Sequence, residues 1–274
     1  MKTTKLSFKD GKKTAEVYIG DCRPLLTTLH EQNRSFEMIF ADPPYNIGVE
    51  YDNWDDAICD ADYQKFTKTW LKRCNQLLTE DGSLWVYVTP ALGCQIASYA
   101  TKNLGLHLIN RIVVVQRFGQ HQTNRFISGY RDLLYLCRSR SSRIWNSHEI
   151  LVPSDRAAKY GDKRTFAKQE NKGLRVPLDV WGYDEPYFGR VQGSNAERRK
   201  LHKNQVPEKV LERAVLVASS KGDTILDPFC GSGTTGTVAI ALNRNFVGLE
   251  ISRAYARSAM DRIKEGPARV SPRT

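Results

Sequence analysis

The stretch FADPPYNIGVEYDNW, residues 40–54, sets an acid, two prolines and an aromatic side chain directly after an apolar run. Pro43 and Pro44 fix φ and donate no N–H, so neither a strand nor a helix continues through them. Asp42 and the carbonyl of Pro43 are two acceptors side by side, which suit the two donors of an –NH2 group. Tyr45 adds a flat ring on which a base could stack. The stretch predicts a site for an exocyclic amine on an aromatic ring, against the alternative of a plain acidic turn.

A second loop, LDPFCGSGTTG at 226–236, follows a predicted strand and begins a predicted helix. Gly231 and Gly233 let the backbone turn tightly and approach a ligand without a Cβ in the way. Glu250 ends the next predicted strand, where an acid can accept hydrogen bonds from ribose hydroxyls. The glycines also match G-x-G-x-x-G, which by itself suggests a dinucleotide dehydrogenase. However, Asp227 precedes them and places an anion where a pyrophosphate would lie, so the loop favours a cationic ligand.

The elements that would hold these loops alternate between strands and helices. Strands are predicted at 14–20, 36–41, 83–89, 107–116, 132–138, 224–227 and 245–250, and helices at 23–32, 62–78, 91–105, 207–219, 233–243 and 252–265. Such alternation predicts an α/β fold with a parallel, doubly wound sheet. Ligands of these sheets bind beyond the carboxyl ends of the strands. Both loops follow such ends, and so does Asp21.

The charge of the chain favours polyanionic partners. The formal net charge is +11, and residues 138–203 hold 15 Lys or Arg against 8 Asp or Glu, which is +7 of that total. Nucleic acid is the first partner to expect from this balance and an acidic membrane surface the second. The candidate DNA contacts are Arg138, Arg140, Arg143, Lys163, Arg164, Arg198, Arg199 and Lys200. Any single one of them could equally be a solvated surface charge.

Several classes of protein are disfavoured by what the sequence lacks. No apolar run approaches the 18 residues of a membrane span, and no charged-then-apolar leader is present. The six cysteines are scattered, without C-x-x-C and without a histidine at zinc spacing. We therefore expect reduced thiols, no metal, no membrane association and a cytoplasmic location.

The two loops together resemble the DNA amino-methyltransferases, which methylate the exocyclic amine of adenine or cytosine with S-adenosylmethionine. DPPYN at 42–46 resembles their catalytic motif, and DPFCGSGTT at 227–235 resembles their cofactor loop. The catalytic motif comes first, the cofactor loop last and a basic region lies between, an order similar to that of the permuted β class. The resemblance covers about residues 16–265. It implies a Rossmann-like methyltransferase sheet with an inserted target-recognition region.

The resemblance also implies roles for individual residues. The catalytic residues would be Asp42, Pro43, Pro44 and Tyr45. The cofactor would be lined by Asp227, Phe229, Gly231, Gly233, Thr234 and Thr235. Glu250 would bind its ribose and Asp21 its adenine. LHKNQVP at 201–207 resembles the segment H-P-T-Q-K-P beside the methionine end of the cofactor. It matches at His202, Gln205 and Pro207 and departs at Lys203, Asn204 and Val206.

The implied organisation is a catalytic half at 1–137, a target-recognition insert at 138–204, a cofactor half at 205–266 and a tail at 267–274. The implied function is site-specific methylation of adenine in double-stranded DNA after base flipping. Asp rather than Ser before P-P-Y favours adenine within the family. Cytosine-N4 methylation, a non-catalytic DNA-binding relative and a dehydrogenase remain the alternatives. The resemblance further raises a homodimer and a cognate restriction endonuclease as partners.

Overall fold

The computed structural model describes residues 4–116, 122–164, 172–183, 185–189, 191, 196–202 and 204–270. Its strands are β1 (Thr4–Asp10), β2 (Lys13–Ile19), β3 (Phe36–Ala41), β4 (Leu78–Val88), β5 (His107–Val115), β6 (Tyr130–Cys137), β7 (Val152–Pro153), β8 (Leu174–Arg175), β9 (Val180–Trp181), β10 (Thr224–Asp227) and β11 (Asn245–Glu250). Its α-helices are α1 (Cys22–Glu31), α2 (Asp60–Leu77), α3 (Pro90–Leu104), α4 (Asp155–Ala158), α5 (Glu208–Ala218), α6 (Thr234–Ala241) and α7 (Arg253–Glu265), with a 3-10 helix at Ser147–Ile150.

Nine strands form one sheet in the order β1-β2-β11-β10-β3-β4-β6-β5-β9. From β2 to β4 all neighbours are parallel. The strand order reverses between β10 and β3, and such a switch point is where doubly wound sheets bind ligands. The strands that precede the two predicted loops are therefore neighbours. The predicted doubly wound α/β sheet is confirmed.

Two strands depart from the expected parallel sheet. β6 runs antiparallel to both β4 and β5, because the segment between β5 and β6 holds no described helix that could return the chain to the other end of the sheet. β1 forms an antiparallel hairpin with β2 around Gly11, whose φ is +60°. The loop between the paired Asp10 and Lys13 is Gly11–Lys12, and a glycine at the first position of a two-residue loop is a sequence signal for a hairpin.

Helices cover both faces of the sheet, α1, α2 and α3 on one side and α5, α6 and α7 on the other. Met38 and Phe40 of β3 point into one hydrophobic cluster, and Ile39 and Ala41 point into the other. Burial on both faces explains why β3 is a continuous apolar run rather than an alternating one. This rigid central strand carries Asp42 at its carboxyl end.

After β6 the chain crosses the end of the sheet at which the parallel strands begin, opposite to Asp42. The N–H of Ile144 donates to the Asp81 carbonyl at 3.0 Å, and that of Asn146 to the Val217 carbonyl at 2.9 Å. The described elements that follow before α5 are short, and one of them, β9, extends the sheet beside β5. Among the helices of the described part, none is both long and apolar enough to cross a membrane.

Candidate active site

The Asp-Pro-Pro-Tyr turn is held rigidly at the end of β3. The Tyr45 hydroxyl donates to Oδ1 of Asp42 at 2.6 Å, and the Tyr63 hydroxyl from α2 donates to the Pro44 carbonyl at 2.7 Å. Among the described residues, no hydrogen bond reaches the Pro43 carbonyl or Oδ2 of Asp42. The turn thus keeps two acceptors available for a ligand.

Burial raises the pKa of Asp42 to about 7, and the nearby charge of Asp227 adds to this effect. The hydrogen bond from Tyr45 and the charge of Arg131 act in the opposite direction. The Arg131 guanidinium carbon lies 5.8 Å from the centroid of the Tyr45 ring. Arg131 was missed by the sequence analysis, because only the pairing of β6 with β4 brings it beside the turn.

The chain after Tyr45 folds over the site around Asp56, which is 3% exposed. The Asp56 carboxylate accepts the N–H groups of Asn46, Ile47 and Val49 at 2.8, 3.1 and 3.0 Å. These bonds close a loop that brings Tyr51, Asp52 and Trp54 to the cavity described below. Asp56 was also missed, since nothing in the sequence separates it from the neighbouring exposed acids.

The Gly-rich loop is organised by two buried carboxylates. Asp227 accepts the Thr235 hydroxyl at 2.6 Å and the Phe229 N–H at 2.9 Å, and burial raises its pKa to about 7. Glu250 accepts the N–H groups of Gly231 and Ser252 at 2.8 and 2.9 Å, and burial raises its pKa as well. Each Glu250 oxygen takes one of these bonds and has a second lone pair.

Protein atoms fill the space beside two of the predicted ligand-contacting glycines. At Gly231, where φ is +48°, a Cβ would lie 2.6 Å from Nε2 of His202. At Gly233, where φ is +75°, it would lie 2.9 Å from Cα of Ala259 in α7. Both glycines permit left-handed turns and close packing of the chain on itself.

The switch point opens into a cavity with about 740 Å³ of open space, counting its mouth. Of the predicted site residues, it is lined by Asp21, Asp42, Pro43, Pro44, Tyr45, His202, Phe229 and Glu250. An inner cavity of about 280 Å³ is lined by Asp42, His202, Gln205, Asp227, Thr234 and Thr235. Gly231 and Gly233 line neither cavity.

The larger cavity is anionic and aromatic. Four carboxylates reach its wall, at Asp21, Asp42, Asp52 and Glu250, and that of Asp21 is paired with the Arg23 guanidinium at 2.5 Å. No Lys or Arg that the structure describes lines the cavity itself. Six aromatic rings also line it, from Tyr45, Tyr51, Trp54, Phe66, Phe229 and Tyr255. Such a wall suits a cationic ligand that carries an aromatic ring. Within the described ranges, no group of three or more His, Cys, Asp or Glu could hold a metal ion.

His202 and Gln205 lie where the 196–207 segment meets the Gly-rich loop. The His202 ring packs between Tyr51 and Tyr255, with centroid distances of 6.2 and 5.2 Å, and burial lowers its pKa. The Gln205 amide donates to the Glu197 carbonyl at 2.8 Å and accepts the Arg199 N–H at 3.2 Å. Gln205 therefore shapes the segment. Lys203 lies outside the described residues.

The candidate DNA contacts are not brought together. Arg138, Arg140 and Arg143 follow the end of β6 that pairs with Ser83, at the edge of the sheet opposite to Asp42. The antiparallel direction of β6 causes this separation.

The other candidates lie elsewhere on the chain. Lys163 and Arg164 are exposed, and Arg164 pairs with Asp162 at 2.9 Å. Arg198 and Lys200 are exposed close to His202, while the Arg199 guanidinium pairs with Glu265 at 2.7 Å. Only the run at 198–200 is thus close to the cavity.

A family model described as DNA methylase (N6_N4_Mtase) matches residues 36–261, a span that includes both loops and the sheet between them. The chain belongs to this family. The family predicted from the two motifs is thus confirmed, and the predicted dehydrogenase alternative has no support.

Two curated relatives of this DNA methylase are Type II methyltransferases. M.HpaI of Haemophilus parainfluenzae is 29% identical over 236 residues, which is 85% of this chain and 69% of that protein. M.HinfI of Haemophilus influenzae is 30% identical over 268 residues, which is 90% of this chain and 67% of that protein.

Two solved structures share the fold of this DNA methylase. The M1.HpyAVI–SAM complex matches with a TM-score of 0.65 at 20% identity, covering 91% of this chain and 98% of that one. The cytosine-N4-specific PvuII DNA methyltransferase matches with a TM-score of 0.65 at 15% identity, covering 94% of this chain and 88% of that one.

Proposed function

We propose that this DNA methylase transfers a methyl group from S-adenosylmethionine to the N6 amine of adenine in duplex DNA. One observation carries the proposal: a single cavity joins the free acceptors of the Asp42–Tyr45 turn to Glu250 and Phe229 from the far end of the chain. An amine-binding end and a nucleoside-binding end therefore face the same space.

The cavity residues fit the cofactor. Glu250 keeps lone pairs for ribose hydroxyls beyond the two backbone N–H groups it already accepts. Phe229 is fixed edge-on against Trp70 at 5.3 Å and offers a ring to the adenine. The Asp42 carboxylate favours a positive charge nearby. When bound, S-adenosylmethionine supplies an electrophilic methyl group on a positively charged sulfur.

The Asp-Pro-Pro-Tyr turn would orient the target amine. The lone pair of an aromatic amine is delocalised into its ring, which makes the nitrogen a poor nucleophile. Two N–H bonds accepted by Oδ2 of Asp42 and the Pro43 carbonyl would fix the nitrogen with its lone pair toward the cofactor site. The Asp42 charge would stabilise the positive charge that develops on this nitrogen as the bond from the methyl group to sulfur breaks, and the methylated nitrogen would then lose one N–H proton to the Asp42 carboxylate. The Tyr45 ring would stack on the base.

A paired adenine must leave the duplex to reach Asp42, so the proposal includes base flipping, at a cost of a few kcal/mol. Contacts from the insert at 138–204 would offset that cost, and we assign target recognition to it. The proposal also includes the division into a catalytic half at 1–137, the insert at 138–204, a cofactor half at 205–266 and a tail at 267–274. Of the tail, residues 271–274 lie outside the described part.

Two partners beyond the DNA are part of the proposal, a second copy of the chain and a cognate restriction endonuclease. Light scattering tests the first. Protection of the methylated DNA from that nuclease tests the second.

Nucleoside mass spectrometry of DNA from cells that express the chain tests the proposed reaction, beside an Asp42→Ala control. N6-methyladenine that disappears in the control is the expected result. N4-methylcytosine instead would keep the proposed roles of the turn and replace the base. Neither product, from folded protein that binds S-adenosylhomocysteine, would overturn the proposal.

The pH dependence of catalysis should follow the Asp42 carboxylate. A protonated Asp42 is a weaker acceptor for the amine N–H and lacks the negative charge that stabilises the transition state, so kcat/KM should fall as the pH drops through about 7. Tyr45→Phe removes the hydrogen bond that lowers the pKa of Asp42. We expect the acid limb of the profile to move up by about 0.4–1 pH unit, with activity recovering at alkaline pH.

The matched control for that profile is Tyr51→Phe, which removes a cavity hydroxyl that is bonded to Asn204 instead. Its acid limb should stay where it is. A Tyr45→Phe profile that coincides with the wild-type profile would contradict the assignment of the limb to Asp42.

Glu250→Gln should weaken cofactor binding. The substitution removes a charged acceptor for the ribose and disturbs the bonds to Gly231 and Ser252, so calorimetry should show the Kd of S-adenosylhomocysteine rising about tenfold or more. Asp52→Asn, at a cavity carboxylate that accepts the Ser252 hydroxyl, is the control and should have a smaller effect. Equal effects of the two variants would remove Glu250 from its proposed role.

A further inference from the structure

The outward side of α2 carries a row of cations. Lys65, Lys68 and Lys72 recur at i, i+3 and i+7 and so share one side of the helix, beside Arg73. The three lysines are exposed, and none of the four cations pairs with a carboxylate among the described residues. After Asp62 neither α2 nor α3 contains an acid. We call Lys65, Lys68, Lys72, Arg73 and Tyr99 the basic face.

A groove runs along the basic face between α2 and α3. It has about 930 Å³ of open space and is lined by all five residues, with the polar side chains of Gln64 and Thr69 beside them. The ammonium of Lys68 lies 5.9 Å from the centroid of the Tyr99 ring. A concave surface with ammonium groups and hydroxyls, and with no acid from the described part of the chain on its wall, is complementary to phosphate groups.

A further hollow lies between this groove and the active-site cavity. It shares Trp54 and Phe66 with the cavity and Lys65 with the groove, and its wall also carries Asp55, Asp62 and Arg23. From Lys65 to Arg73 the helix rises by about 12 Å, which matches about three to four phosphates of one DNA strand at 3.4 Å of axis each. DNA bound at the active site could therefore contact α2 with a neighbouring part of its backbone.

The helices that form the basic face carry no acid to offset its charge. Neither α2 after Asp62 nor α3 contains Asp or Glu, and the part of the chain outside 138–203 is itself net positive, at +4 (11 − 7). A second copy docked through the same face would bring like charges together, which disfavours self-association there.

We propose that the basic face binds the phosphate backbone of the substrate DNA outside the segment that holds the target base. This second contact is separate from the insert and carries no base readout. It rests on membership of the DNA methylase family and not on the choice of adenine. Its role is to raise affinity for long DNA in proportion to the phosphates that it neutralises.

The test compares two duplexes with the same methylation site, mapped beforehand by sequencing, one of about 14 base pairs and one of about 40, near 50 and 140 Å long. The variant is Lys65→Gln/Lys68→Gln/Lys72→Gln. On the long duplex we expect the slope of log Kd against log salt to fall by about 2.7, or 0.9 per lost phosphate contact. On the short duplex the slope and the single-turnover methylation rate should stay as in the wild type.

The matched control is Lys9→Gln/Lys12→Gln/Lys221→Gln. It removes the same charge from exposed lysines near the starts of β2 and β10, at the end of the sheet opposite to Asp42. The control should keep the wild-type slope on both duplexes. An unchanged slope for the α2 variant on the long duplex, an equal fall on both duplexes, or an equal fall in the control would each overturn the proposal.

Lysine acetylation footprinting of the wild-type protein gives a second measurement that needs no variant. The long duplex should protect Lys65, Lys68 and Lys72, and the short one should leave them reactive. Equal reactivity with both duplexes would reject the proposal, while methylation of the short duplex reports separately on the proposed reaction.

Discussion

Replacing Asp42 by asparagine should lower the single-turnover rate of methyl transfer by about 10²–10³-fold, the usual loss when a preorganised group that stabilises transition-state charge is removed. The introduced asparagine would keep an oxygen for the Tyr45 hydroxyl, so the turn should hold its shape. Its side-chain amide would offer N–H donors where the target amine needs an acceptor, and the negative charge would be lost.

The affinity for cofactor and for DNA separates this role from a structural one. An interaction made only in the transition state lowers kcat and kcat/KM together and leaves ground-state binding in place. We therefore expect the Kd of S-adenosylhomocysteine and of duplex DNA to change by less than about threefold. Rapid-quench kinetics with labelled cofactor, beside calorimetry, make both measurements.

Asp52→Asn is the matched control for Asp42→Asn, because Asp52 also lines the cavity as a carboxylate and its partner is the Ser252 hydroxyl. Its single-turnover rate should remain close to the wild-type rate. Similar losses in both variants would point to the summed negative charge of the cavity rather than to the acceptor pair at the turn.

The parts of the fold that could be predicted are those whose structure depends on residues close together in the sequence. β3, β10 and β11 have the bounds that their apolar runs indicated, 36–41, 224–227 and 245–250. The prolines after Asp42 and the glycines after Asp227 end the preceding strands locally, so both loops were visible too. The alternation of elements then placed the two loops at one edge of the sheet.

The parts that could not be predicted depend on pairing between distant segments. The direction of β6 decides that Arg131 lies beside Tyr45 while Arg138 lies at the far edge of the sheet. The four acids at 50, 52, 55 and 56 look alike in sequence, and only the fold buries Asp56, whose carboxylate accepts three N–H groups. Similarly, no local pattern shows that Gly231 makes room for His202.

A buried ion pair holds the cofactor half of the site together. Arg262 of α7 and Glu208 of α5 are each 1% exposed and lie 2.8 Å apart. The same guanidinium donates to the Thr234 hydroxyl at 2.7 Å and to the Ser232 hydroxyl at 3.2 Å. Glu208 also accepts the Arg269 N–H at 2.7 Å. One side chain therefore connects α7, the start of α5 and the Gly-rich loop.

Arg262→Met should destabilise the protein by about 3–5 kcal/mol, because it leaves the Glu208 carboxylate buried without its cation. For a chain of this size, that corresponds to a fall in Tm of about 6–20 °C. Chemical denaturation and calorimetry measure the two quantities. The Ser232 and Thr234 hydroxyls also lose their donor, so S-adenosylhomocysteine should stabilise the variant less than it stabilises the wild type.

Two further variants decide the cause of that loss. Lys209→Met breaks the more accessible Lys209–Glu212 pair on the same helix and should cost less than about 1 kcal/mol. Glu208→Leu combined with Arg262→Met removes both charges and should recover part of the lost stability, since the penalty comes from the unpaired charge rather than from the missing attraction. The loss of unfolding free energy in the double variant could instead equal the sum of the losses in the two single variants. In that case the packing of α7 against the Gly-rich loop, and not the ion pair, would hold this half of the site in place.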